Sequence, residues 1–148
     1  MLGTAHRCPP LIRFLRLLLA VLATGLVTGA PVYAKVTSVK LLQAWSGRVP
    51  LGVQPPLQSS LVTPADFARV WAQCQMKDTV PAIDFDKRLV LVAVRRGSVV
   101  RFQSMQVDDG NLKTSVVVSP DMPAYMTCAL ALVDRAGVAK VNGAPLGK

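Results

Sequence analysis

Two aspartates flank a phenylalanine in the stretch VPAIDFDKRLVLVAVRRGS, residues 80–98. Asp84 and Asp86 stand at i and i+2, so an extended backbone would put both carboxylates on one face and Phe85 on the other. The chemistry open to such a pair is ligation of a hard cation such as calcium. Calcium takes roughly six to eight oxygens, and the rest of an EF-hand loop is missing. The favoured reading is structural: Phe85 anchors the start of a strand, while the aspartates bond loop amides or pair with Lys87 and Arg88. The run DDGN at 108–111 resembles part of a calcium loop too, but a hairpin turn explains it better.

Arg95, Arg96 and Arg101 gather about one expected hairpin, beside Phe102. Basic residues next to an aromatic suit a polyanion, including nucleic acid. The chain carries export signals, described below, and exported proteins rarely meet nucleic acid. The three arginines are therefore the candidate binding surface, with a polyanionic envelope polymer or an anionic membrane as conceivable partner and no nucleic acid expected.

Catalysis is hard to build from what remains. The single histidine, His6, lies in the amino-terminal segment, and glutamate is absent, so all eight carboxylate side chains are aspartates. A Ser or Cys triad lacks its usual base, and zinc-hydrolase ligand sets lack theirs. No phosphate-binding glycine loop or dinucleotide fingerprint occurs, and no family spacing marks a Ser–Lys dyad. The expectation is a protein that is not an enzyme and carries no cofactor or metal.

The amino end reads as a secretory signal peptide, residues 1–34. Arg7, Arg13 and Arg16 form a positive region, Leu17–Val27 an apolar core, and Val32-Tyr33-Ala34 a small-residue cleavage pattern. The competing reading is a retained membrane anchor, but a span needs roughly 20 apolar residues, and Gly25, Gly29 and Pro31 interrupt this one. Cleavage would remove three of the 17 basic residues and no acid, leaving 14 against eight and a charge of +6. Cys8 precedes the apolar core, where a lipidated cysteine would follow it. Its loss leaves Cys74 and Cys128, an even pair expected to form a disulfide in an oxidising compartment. The location expected is therefore periplasmic or secreted, with no stable membrane span after cleavage.

Residues 35–148 then form one domain. KVTSVKLLQAWSGRV opens with a strand over about residues 37–46, and PLGVQPPLQSS cannot hold a regular element. TPADFARVWAQCQ is the one convincing helix: Thr63 suits the N-cap and Pro64 the first turn. Phe67, Val70, Trp71 and Cys74 share one face of it. RLVLVAV has too few polar interruptions for a half-exposed strand, so it should be buried on both faces. Further strands follow at VVRFQSMQV, LKTSVVV, AYMTCALALV and VAKV, separated by turn residues. The fold class expected is α+β, a single helix packed on a predominantly antiparallel β-meander of about five to six strands. A Cys74–Cys128 bridge would pin helix to sheet.

The order of helix ADFARVW, then VPAIDFDKRLVLVAVRRG, then RAGVAKVNGAPL resembles small exported bacterial proteins related to the carboxy-terminal domain of the protease-complex subunit PrcB. Trp71, Pro81, Asp84, Phe85 and Leu89–Val94 carry the likeness, which covers roughly residues 63–146. The resemblance implies a non-catalytic interaction role with another exported protein, a protease among the candidates, and no binding residue is carried over from it. The alternative function is a polyanion- or small-ligand-binding protein of the envelope.

Overall fold

A computed structural model describes residues 36–147 of the chain; the expected signal peptide lies outside the described residues. Thr63 starts the helix α1 (Pro64–Gln73) in extended geometry, and its hydroxyl accepts from the Asp66 amide. Pro64 occupies the first turn, where the missing N–H has no intrahelical partner to lose. Phe67, Val70 and Trp71 form the buried stripe, and Cys74 caps the carboxyl end. Gln75 follows in the left-handed region at φ 49°, and this turns the chain off the helix.

Five long strands carry the rest: β2 (Leu41–Pro50), β4 (Arg88–Arg96), β5 (Val100–Asp108), β6 (Asn111–Val118) and β7 (Tyr125–Asp134). Two-residue strands supplement them: β1 (Thr37–Ser38), β3 (Ser60–Leu61), β8 (Lys140–Val141) and β9 (Ala144–Pro145). The class is α+β with a single helix among the described residues. None of their helical structure is long and apolar enough to cross a membrane.

The strands form two sheets where one meander was expected. One sheet runs β2-β7-β4-β3, the other β1-β5-β6-β8-β9. The chain leaves the first sheet after β4, builds the β5–β6 hairpin in the second, and returns with β7 between β2 and β4. The expected opening strand is likewise divided: Thr37 pairs with Val107 in the second sheet, whereas Leu41 onward pairs with β7 in the first. All pairings are antiparallel except the short β6–β8 contact.

Burial explains the division. β4 and β7 are apolar on both faces, so one helix cannot cover them. Val90, Val92, Cys128, Leu130 and Leu132 pack under α1 with Phe67, Val70 and Trp71. On the opposite face Leu89, Leu91, Ala131 and Val133 meet Met105, Leu112 and Val141 of the second sheet. A single sheet would leave that second set in water, at roughly 25 cal/mol per Å² of apolar area. Three layers result: helix, sheet, sheet.

Cys74 and Cys128 are both fully buried, with sulfurs 2.13 Å apart and Cα atoms 5.8 Å apart. Cys128 stands in register with Val94 on β4 and Gly47 on β2. The bridge thus fastens the helix end to the middle of the sheet, as the helical face of Cys74 implied. Gly47 is required at this point, because a Cβ there would lie 2.1 Å from the Cys74 carbonyl oxygen.

Candidate functional site

Asp84, Phe85 and Asp86 form a turn, and the extended geometry that would align two carboxylates is absent. The Asp84 carbonyl accepts from the Lys87 and Arg88 amides, and its carboxylate accepts from the Asp86 amide at 3.2 Å. Lys87 Nζ lies 3.3 Å from Asp84 Oδ2. That bond, with the amides, holds the Asp84 carboxyl below its ordinary range. Phe85 is buried and meets the Phe67 ring edge-on at 5.9 Å. Among the described residues no three potential ligands group to hold a metal ion.

The three arginines do not make one patch. Arg95 lines a depression between β4, the 55–59 segment and β6, while Arg101 lines another beside β2. Arg95 Nη1 donates to the Val94 carbonyl at 2.8 Å, and Arg96 Nε to the Pro123 carbonyl at 3.3 Å. Both therefore serve backbone oxygens near the end of β4. Their separation follows from the two-sheet arrangement, because Arg101 sits on a strand of the other sheet.

A different place assembles a recognisable binding geometry. β2 is an edge strand of ten residues. The Arg48 amide donates to the Cys74 carbonyl at 2.8 Å, away from β7. This fixes the alternation: Ala44, Ser46 and Arg48 direct their N–H and C=O groups outward, whereas Gln43, Trp45 and Gly47 bond β7. The helix end occupies Arg48, and a bulge between Leu41 and Gln43 interrupts the ladder on the other side. Between those limits the backbone of Ala44 and Ser46 has no partner among the described residues.

Depressions flank this free edge on both faces and share Ala44, Trp45 and Ser46. The one toward α1 measures about 630 Å³ and includes Arg48, Trp71, Gln75, Met76, Lys77 and Asp78. Trp45 points into this layer, with its ring 5.5 Å from Trp71 and 5.8 Å from Phe67. Trp71 Nε1 donates to the Asp78 carbonyl at 2.9 Å, anchoring the segment that walls the groove. The depression toward the second sheet is smaller, about 320 Å³, and is formed by Leu41, Val100, Phe102, Ala129 and Ala131, with Arg101 as its one charged residue. An extended chain laid along β2 would therefore find two backbone donors and two acceptors. Its successive side chains would fall alternately into the two depressions.

Sequence reasoning placed Trp45 in a strand but missed its role, because edge position depends on which strand β7 chooses as neighbour. The available signal was WSGR: an aromatic two residues before a glycine, and a glycine in a strand marks close backbone approach. Compared with protein-family models, curated proteins and solved structures, the chain matches none.

Proposed function

We propose that this chain is an exported, non-catalytic binding domain that takes an extended segment of another protein as an added strand along β2. The observation that carries the reading is the free backbone of Ala44 and Ser46 between two depressions that share the same residues. In recognition of this kind, main-chain hydrogen bonds supply affinity and pockets for alternate side chains supply selectivity. Side chains on the helix side would meet Trp45, Met76 and Lys77; those on the other side would meet an apolar floor. The signal-like amino end and the Cys74–Cys128 pair support export. The likeness to the PrcB carboxy-terminal domain supports an exported protein, a protease among the candidates, as partner.

The test uses proline. Ser46 points its N–H outward, so Ser46→Pro removes one ladder donor while the pairing with β7 stays intact, and edge strands tolerate proline in that orientation. A partner captured from envelope extract and identified by mass should slow amide exchange at Ala44 and Ser46 by tenfold or more. Ser46→Pro should abolish its binding with the fold unchanged. A partner that protects a different surface and binds Ser46→Pro equally would remove β2 as the recognition element.

A further inference from the structure

The two ends of the sheets differ in how their cations are balanced: Lys87, Arg88, Arg135 and Lys140 stand among carboxylates at one end, while few carboxylates accompany the arginines at the other. Five of the eight aspartates lie at one end: Asp84 and Asp86 before β4, Asp108 and Asp109 at the β5–β6 turn, and Asp134 at the end of β7. At the opposite end β2, β4 and β6 finish while β5 and β7 begin. Arg48, Arg95 and Arg96 stand there, and Asp121 is the carboxylate of the loop between β6 and β7. No ion pair among the described residues engages any of the three arginines. Arg48 lies 4.6 Å over the Tyr125 ring, and the other two donate to carbonyls. Asp121 is satisfied internally by the Ser98 amide and the Ser119 hydroxyl, so it does not neutralise them by contact.

The loops at this cationic end also expose aliphatic side chains. Leu57 is 83% and Met122 72% exposed, and Leu51, Val53 and Val99 are exposed as well. Pairing places them at the same end: Pro50, next to Leu51, is in register with Tyr125, and the Ser119 amide bonds the Val99 carbonyl. Leu57 shares a depression with Val94, Arg95 and Val118. Core packing explains none of these positions.

Aliphatic loop tips ringed by unpaired cations are complementary to a bilayer with anionic headgroups. There the apolar tips enter the acyl boundary while the cations meet lipid phosphates. A soluble polyanion would use the arginines and leave the tips in water. We infer that this loop end docks on the surface of an anionic phospholipid bilayer. The free backbone of Ala44 and Ser46 lies in the middle of β2, away from this loop end, and stays open to a partner.

The test is vesicle sedimentation at low salt with the oxidised chain after removal of residues 1–34, whose arginines and apolar run would bind vesicles by themselves. Binding should be stronger to vesicles containing phosphatidylglycerol than to pure phosphatidylcholine. Arg95→Gln with Arg96→Gln should weaken it roughly 25-fold, at about fivefold per basic residue. Leu57→Asp with Met122→Asp should weaken it at least tenfold, while Lys140→Gln at the far end should change it less than twofold. In Met122→Trp, brominated acyl chains should quench emission beyond the quench of the unsubstituted protein. Binding that ignores lipid charge, binding that survives both paired substitutions, or an absent extra quench would each overturn the proposal. Retention on dextran sulfate that persists in Leu57→Asp/Met122→Asp, without quenching, would assign this end to a polymer and overturn it equally.

Discussion

Reduction of the Cys74–Cys128 bridge removes one covalent link and no core atom, so its effect can be worked out from the chain it closes. The linked residues are 54 apart in sequence. Loop-closure entropy for that length corresponds to about 4 kcal/mol of constraint on the unfolded chain. Domains of this size are stable by about 5–15 kcal/mol in total, so the bridge decides much of the margin. The effect should be felt first at the helix end, because Cys74 is both its cap and the acceptor for the Arg48 amide on β2. The assay is urea unfolding followed by the fluorescence of Trp45 and Trp71, in a Cys8→Ser background so that Cys74 and Cys128 are the two cysteines present. With a slope of about 2 kcal/mol per molar urea, reduction should lower the midpoint by about 2 M. Intact mass should rise by two hydrogens in the same samples. A midpoint shift under about 0.5 M at unchanged slope, the mass change being present, would refute the claim that this link holds helix to sheet.

Three further perturbations probe separate parts of the structure. Gly47→Ala would set a methyl 2.1 Å from the Cys74 carbonyl oxygen and 2.8 Å from Met76 Sδ. Backbone must shift, so a loss of about 1–3 kcal/mol is expected in the same unfolding assay, and a variant as stable as the parent would contradict the close approach. Phe85→Ala should cost about 3–5 kcal/mol, whereas Asp84→Asn should cost much less because its carboxylate faces solvent; equal effects would sink the assignment of Phe85 as the anchor. The Asp121 carboxyl is held at about 2, first by the Ser119 hydroxyl and then by the Ser98 amide, against 3.8 unperturbed. A depressed carboxylate stabilises the fold above the unfolded value and loses that contribution as pH falls toward the folded one. Thermal melts should therefore show a fall between about pH 4 and pH 2 that is shallower in Asp121→Asn; identical slopes would show that the loop network does not act on folding.

What could be read from the sequence follows what is local or strongly periodic. Thr63 and Pro64 announce the helix start through backbone chemistry that needs no tertiary context, and Phe67, Val70, Trp71 and Cys74 announce its buried face. The unbroken apolar run from Leu89 to Val94 correctly implied two buried faces. That inference also contained the second sheet, since one helix can cover one face only, but the covering element could not be named. Turn signals imply that β5 and β6 continue the meander, because hairpin-linked strands usually pair, and they do pair with each other. What joins β7 to β4 across 28 intervening residues is a non-local choice with no turn signal. Its cause is the match of Leu130 and Leu132 to the face already holding Val90 and Val92.

The candidate site was illegible for the same reason, carried one step further. An edge is defined by the neighbour a strand lacks, and β2 becomes an edge only once β7 has paired on its other side. Its usable length is then trimmed by contacts from distant parts of the chain: the Cys74 carbonyl blocks Arg48, and the bulge near Leu41 breaks the ladder. The bridge and the free edge are thus physically connected. Cys128 is in register with Gly47, Gly47 admits the helix end, and the helix end both stops the open backbone after Ser46 and builds the wall carrying Met76 and Lys77. A segment added along β2 would therefore run into the α1 terminus at a fixed position, which sets its register as well as its affinity. Loosening Cys74 from Cys128 should relax that register before it unfolds the domain, so the reduced protein should discriminate among bound segments less sharply than the oxidised one.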